Sequence, residues 1–319
     1  MNNFFLSIII PVFNEEKNIQ PILKRLLPVV KKYNFEIIFV SDGSTDKTEE
    51  VIKNEAKKEK RIKLISFLRN FGHQMALFAG YEHAKGDVVI SLDADLQDPP
   101  EIIPKMIEAW QKGAKVVYAK REERKVDSFL KKITAQIFYN LLNFVSDVPI
   151  PSDVGDFRLL DRKVVEFLKG LCEKPRFLRG LVAWPSFPST FVYFKREKRL
   201  FGKTHYPLPK MVNFALEGIT AFSIKPLRLA TYLGFLTSFF AILMIIVKSF
   251  QHFVLKQGDW LPGWASLFFA IVFLGGIQLV TIGIIGEYVG KIYQEIQKRP
   301  NYLVKEKINF SNTSEVLQI

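Results

Sequence analysis

Short apolar runs alternate with amphipathic stretches through the first third of the chain. Leu6–Val12, Glu36–Ser41, Ile62–Phe67, Val88–Leu92 and Lys115–Ala119 are rich in Ile, Val and Phe, the composition of buried strands. Between them, Lys17–Tyr33, Asp46–Lys58, His73–Lys85 and Glu101–Lys112 carry helical spacing. This alternation predicts an α/β fold with a mostly parallel sheet and helices on both faces. Sheets of this kind bind ligands beyond the carboxyl ends of their strands. Three of the runs end there in polar, acid-bearing turns: Pro11-Val12-Phe13-Asn14-Glu15, Ser41-Asp42-Gly43-Ser44 and Asp93-Ala94-Asp95-Leu96-Gln97. No GxGxxG follows the first strand and no GxxxxGK[ST] occurs, which argues against a dinucleotide-dependent dehydrogenase and a P-loop NTPase.

The pattern changes toward the C-terminus. Leu229–Val247 and Ala265–Gly286 are uncharged over 19 and 22 residues, each close to the ~20 residues that cross a bilayer as a helix. Mean hydropathy, +0.10, conceals this segregation. Phe4–Ile10 is too short, and Met1–Asn3 too poor in basic residues, for a signal peptide. Lys210, Lys225 and Arg228 precede the first apolar stretch, and Lys291, Lys298, Arg299, Lys305 and Lys307 follow the second, whereas Lys248 and Lys256 are the only basic residues between them. The positive-inside rule then puts both termini and the head on the cytoplasmic side, with Trp260 and Trp264 at the far interface.

At 319 residues the chain suggests two domains. An excess of 45 Lys and Arg over 32 Asp and Glu, +13 in all, points to phosphate-bearing or anionic-membrane partners. The single cysteine, Cys172, excludes an internal disulfide framework. His73, His83, His205 and His252 lack metal-ligand spacing and read as structural. Asp93 and Asp95, with Gln97 continuing the spacing, offer the oxygen donors that Mg²⁺ or Mn²⁺ takes alongside substrate phosphates.

In order and spacing, Ile8-Ile9-Ile10-Pro11-Val12-Phe13-Asn14-Glu15-Glu16, Val40-Ser41-Asp42-Gly43-Ser44-Thr45-Asp46, Arg69-Asn70-Phe71-Gly72 and Ser91–Glu101 resemble glycosyltransferase family 2. The run Asp93–Glu101 is similar to the dolichyl-phosphate mannose synthase branch and its bacterial polyprenyl-phosphate glycosyltransferase relatives. Gly155–Arg162, Arg199–Thr204 and the two apolar stretches extend the likeness over nearly the whole chain. The resemblance implies a GT-A nucleotide-sugar domain, with juxtamembrane amphipathic helices and two C-terminal transmembrane helices. It implies that Pro11, Asn14, Glu15, Asp42, Arg69, Asn70 and Asp93 bind the donor, and that Asp95 and Gln97 hold the metal. It makes Asp156 the catalytic base, although a phosphate acceptor with a second pKa near ~6 is already largely ionised, so orienting the acceptor is an equal role. It gives the acceptor phosphate to Arg121, Lys132, Thr134, Arg199 and Lys203.

Two helical stripes, Phe129–Val145 and Leu208–Phe222, flank that basic region and suit a membrane surface. Residues 1–120 read as the nucleotide-sugar core, 121–226 as the acceptor region, 227–289 as the two spans and 290–319 as a tail. Alternation in Asn301–Asn309 predicts a strand, free to join a sheet edge in its own chain or in a homo-oligomer. The expected partners are a nucleotide sugar, a polyprenyl phosphate and the membrane, not nucleic acid. The expected activity is inverting, metal-dependent hexose transfer, with glucose from UDP-glucose favoured over mannose, galactose, N-acetylglucosamine or aminoarabinose. A processive polysaccharide synthase is disfavoured by two spans and the absence of QxxRW. A decayed, non-enzymatic scaffold is disfavoured by the joint presence of Asp42, Asp93, Asp95, Gln97 and Asp156.

Overall fold

The computed structural model describes residues 4–122, 154–171, 173, 177–197, 223–253 and 263–310. The apolar runs become β1 (Phe5–Val12), β2 (Asn34–Ser41), β3 (Ile62–Phe67), β4 (Val88–Ser91) and β5 (Val116–Arg121). Between them lie α1 (Ile19–Val30), α2 (Thr48–Lys58), α3 (His73–His83) and α4 (Ile103–Gln111), the last entered through a 3₁₀ turn at Pro100–Ile102. Then come β6 (Val154–Asp161), α5 (Arg162–Gly170), α6 (Leu178–Ala183) and β7 (Ser189–Phe194). Two long helices, α7 (Lys225–Phe253) and α8 (Trp264–Ile296), precede β8 (Val304–Ile308).

The strands form one sheet ordered β7-β5-β6-β4-β1-β2-β3-β8. Neighbours β4, β1, β2 and β3 are parallel, as are β5 and β7. Against expectation, β6 returns from the region after residue 121 and inserts antiparallel between β4 and β5. The boundary drawn at residue 120 therefore separates strands of a single sheet.

Alternation along β1 builds both faces of the core. Ile8 and Ile10 pack on one side with Ile22 and Leu26 of α1 and Ile52 of α2. Ile9 packs on the other with Leu77 and Phe78 of α3 and Val164 of α5, as a period of two requires. Helix α3 sits so close to the sheet that a Cβ on Gly80 would lie 2.2 Å from the Ile9 side chain. Pro11, in a central strand, lacks an N–H toward β4, but the β1–β4 pairing ends at Ile9↔Ser91, so no ladder bond is lost there.

The predicted tail strand is present, and it closes its own chain's sheet. β8 runs antiparallel to β3, pairing Leu64 with Ile308 and Ser66 with Glu306. Tyr302 stacks on Phe67 with ring centroids 4.8 Å apart, and Asn309 donates to the carbonyls of Ala56 and Ile62.

Helices α7 and α8 span 29 and 33 residues, and both are long and apolar enough to cross a membrane. Their large side chains face outward: Phe235 and Phe269 are each 71% exposed, an arrangement suited to lipid rather than water. Tyr288 of α8 donates to the Ser223 carbonyl at the root of α7, 2.7 Å away. The two amphipathic stripes lie outside the described residues.

Candidate active site

The turns after β1, β2 and β3 meet at one end of the sheet and are bound to one another. Asn14, held at a φ of 55°, accepts the Thr45 amide through its side-chain oxygen at 2.8 Å. The Asn14 amide in turn donates to Ser44 Oγ. The Glu15 amide donates to Thr48 Oγ1 at 2.8 Å, and the Glu15 carboxylate accepts from the Asn18 side chain.

Asp42 closes the next interval. Its carboxylate accepts the amides of Phe71 and Gly72 at 2.6 and 2.9 Å. Burial pushes the Asp42 pKa up against the lowering effect of those amides, and it stands raised. Gly43, at φ +70°, lets the turns touch: a Cβ would fall 2.4 Å from the Arg69 carbonyl carbon. Arg69 is exposed, lies over the Phe71 ring at 4.2 Å and donates to the Asn70 carbonyl.

Topology brings two aspartates together beyond β4. Ser91 pairs with Arg158 across the β4–β6 ladder. Continuing that antiparallel register by two residues sets Asp93 level with Asp156. Ser91 Oγ donates to the Asp156 carbonyl and accepts from Tyr81 Oη at 3.0 Å, fixing the backbone there.

The Asp156 carboxylate is the most heavily contacted group in the site. Arg158 donates to Oδ1. Arg179 donates from Nε to Oδ1 at 3.2 Å and from its terminal nitrogen to Oδ2 at 3.0 Å. His73 Nε2 stands 3.3 Å from Oδ2, and the Gln74 side-chain amide reaches the same oxygen at 3.5 Å. Burial pushes the Asp156 pKa upward, but Arg179, His73 and Arg158 override it and hold the carboxyl well below its ordinary range.

His73 also faces Asp93, 3.8 Å from its Oδ1. Burial pulls the imidazole pKa down, but the Asp156 hydrogen bond and the charges of Asp93 and Asp156 outweigh this and raise it. His73 therefore belongs to the site, and the reading of all four histidines as structural is corrected there.

Asp95 accepts the Gln97 amide at 3.0 Å. The Gln97 side-chain oxygen is taken by Arg196, and the Gln97 carbonyl accepts the Glu197 amide at 3.1 Å. A metal at Gln97 would have to share that oxygen's two lone pairs with Arg196 or displace it.

Asp98, three residues beyond Asp95, is 3% exposed, and its Oδ1 lacks a hydrogen-bond partner among the described residues. Burial and the negative charges of Asp93 and Asp95 push its pKa up to about 7, with Arg121 opposing. Arg121 stands 4.0 Å from that oxygen. Crowded, mutually repelling carboxylates with an orphaned oxygen fit a hard divalent cation. Among the described residues no three His, Cys, Asp or Glu groups form a complete cation cage, so water or phosphate oxygens would complete the shell.

Residues 7–168 match the model of glycosyl transferase family 2, and residues 225–292 match that of the GtrB C-terminal hairpin. The chain belongs to glycosyltransferase family 2. The uncharacterised glycosyltransferase YkcC of Bacillus subtilis is 46% identical over 96% of this chain and 95% of its own length. The SfII prophage-derived bactoprenol glucosyl transferase of Shigella flexneri is 44% identical over 94% of this chain and 97% of that one. A homologue of the prophage bactoprenol glucosyl transferase in Escherichia coli K12 is 43% identical, covering 94% of this chain and 98% of its own. Among solved structures, glucosyl-3-phosphoglycerate synthase of Mycobacterium tuberculosis aligns with a TM-score of 0.47 and 19% identity, over 68% of this chain and 78% of that one. The mostly parallel sheet, with the site beyond its carboxyl ends, is the GT-A arrangement expected for family 2.

Of the residues expected to act, Pro11, Asn14, Glu15, Asp42, Arg69 and Asn70 lie on or beside the three joined turns. Asp93, Asp95, Gln97, Arg121 and Asp156 lie around the β4–β6 junction. Lys132, Thr134, Arg199 and Lys203 are outside the described residues. Sequence reading missed His73, Arg158 and Arg179. Arg158 carried a signal, since it stands two residues from Asp156 and so shares its strand face. His73 directly follows a recognised motif; Arg179 carried no local signal.

Proposed function

We propose that this chain transfers a hexose, glucose from UDP-glucose, to a polyprenyl phosphate at the cytoplasmic membrane face. The observation that carries this reading is the pairing of a carboxylate-lined, arginine-bearing site with two membrane-length helices in one chain. Relatives named bactoprenol glucosyl transferases, alike over nearly their full length, support the sugar and the lipid. The turns carrying Pro11, Asn14, Glu15, Asp42, Arg69 and Asn70 would cradle the nucleotide, with Asp93 at the ribose. Asp95 would hold Mg²⁺ or Mn²⁺, with Gln97 beside it. When bound, that cation offsets negative charge growing on the nucleoside diphosphate leaving group. Arg121, with Lys132, Thr134, Arg199 and Lys203, would bind the acceptor phosphate, and Asp156 would stand between the donor and acceptor sides. The positive-inside pattern supports a cytoplasmic head in a bacterial inner membrane.

The test is a labelled donor panel, given to the full chain in detergent with polyprenyl phosphate or the matching unphosphorylated prenol. Transfer should require the phosphate, favour UDP-glucose and collapse in excess EDTA. It should also collapse in Asp95→Ala while that protein still folds. Equal use of the prenol would sink the acceptor assignment, and full turnover in EDTA would sink the metal.

A further inference from the structure

The lone pairs of Asp156 are already committed. A carboxylate offers about four acceptor sites. Here Oδ1 takes Arg158 and Arg179, while Oδ2 takes Arg179, Gln74 and His73. The group is also out of reach. The side chains of Asp156 and Arg158 are 5% and 1% exposed, whereas those of His73 and Arg179 are 32% and 30%. A ligand entering from solvent meets the imidazole and the guanidinium, with the carboxylate beneath them.

We propose that Asp156 is a positioning residue, and that the groups it aligns, Arg179 and His73, contact the phosphate of the acceptor. This inference rests on the lipid-phosphate reading above and assigns that site two further ligands. A guanidinium clamped at one edge by a carboxylate is set in one orientation, which favours a directed, charge-assisted bond to a phosphate oxygen. The imidazole bridges Asp156 and Asp93, so it adjoins the donor side as well. The reaction does not need Asp156 to take a proton. An ionised phosphate oxygen forms the new bond at the anomeric carbon, the bond to the nucleoside diphosphate oxygen breaks, and its electron pair leaves with the diphosphate. Holding the acceptor oxyanion in line is the task that remains.

A double-mutant cycle on the full chain in detergent tests this. Arg179→Gln, Arg179→Lys, His73→Gln, Asp156→Asn and the Asp156→Asn/Arg179→Gln double variant are assayed with UDP-glucose and undecaprenyl phosphate. Binding of farnesyl phosphate is titrated in parallel. Arg179→Gln should raise the acceptor KM and the farnesyl phosphate Kd by about 10-fold or more, the scale of a charge-assisted bond. It should leave the donor KM within about 2-fold, and Arg179→Lys should recover part of the loss. His73→Gln should show the same split, more weakly. If Asp156 acts through Arg179, the double variant should be no worse than about 3-fold beyond the poorer single one. Losses that multiply would overturn the proposal, as would an unchanged acceptor KM in Arg179→Gln. If Asp156→Asn does not fold, the Arg179 and His73 series decides alone through acceptor KM and farnesyl phosphate binding. A wild-type chain that neither binds nor glycosylates prenyl phosphates overturns the functional reading and this inference together. Wild-type transfer with insensitive Arg179 and His73 variants overturns this inference alone.

Discussion

The two halves of the site are held by different forces. Around the turns proposed to hold the donor, most bonds have a backbone amide at one end: Thr45 to Asn14, Glu15 to Thr48, Phe71 and Gly72 to Asp42. At the β4–β6 junction the contacts of the Asp156 carboxylate run between side chains, to Arg158, Arg179 and His73, and Asp98 lies 4.0 Å from Arg121. The first half is shaped by chain path and forms when the sheet forms. The second is shaped by charge balance, so one substitution can upset it without moving a strand. Donor binding and acceptor alignment should accordingly fail separately.

The sharpest break is Arg158→Leu. Arg158 is 1% exposed and bonded to Asp156; with Arg179 and His73 still on that carboxylate, its removal should cost at most about 3–5 kcal/mol, the cost of a buried pair broken outright. We expect the largest drop in thermal midpoint in detergent, together with lost transfer, while protein that remains folded still binds UDP. Loss of UDP binding in step with transfer would mean that the halves are not separable.

Asp42→Ala breaks the other half. It leaves the Phe71 and Gly72 amides unpaired, a penalty of about 1–3 kcal/mol. UDP affinity should fall and acceptor KM should hold, the mirror image of Arg179→Gln. Titration calorimetry with UDP beside acceptor kinetics checks this.

The smallest effect is expected at Asp161, outside both halves. It caps α5 by accepting the Lys163 amide and also takes Lys115 and the Trp110 indole. Burial raises its pKa, but those three partners outweigh burial and lower it. For a carboxylate with a depressed folded pKa, the stabilisation is present above the unfolded value near 3.8 and fades as pH falls through the folded value. Asp161→Asn keeps the cap but loses the ionic bond to Lys115, which should cost up to about 1 kcal/mol at neutral pH, with the gap to wild type closing below about pH 4. Thermal midpoints of the two proteins across that range test the sign.

What the sequence disclosed follows the same division. The strands of the donor half, their turns and the tail strand were legible because each is a local pattern of apolar alternation closed by polar residues. β6 was not, because Val154–Asp161 carries Arg158 and Asp156 among its apolar positions and finds its place only by pairing between β4 and β5. Arg179 reaches Asp156 from helix α6, and His73 is drawn in only because β6 delivers Asp156 beside the start of α3. Charge pairs made across non-local contacts leave no periodic trace in the chain.

The pairing of β8 with β3 also sets an order of events during synthesis. Leu64 waits for Ile308, and both α7 and α8 are translated in between. The nascent head therefore carries an unpaired β3 edge until both apolar helices have been made, a period in which open edges recruit wrong partners. Once β8 has paired, the returning strand ties the sheet to the α7–α8 hairpin at a second point, through chain continuity with α8. Release of the head by a protease would then take two cuts, one before α7 and one between α8 and β8.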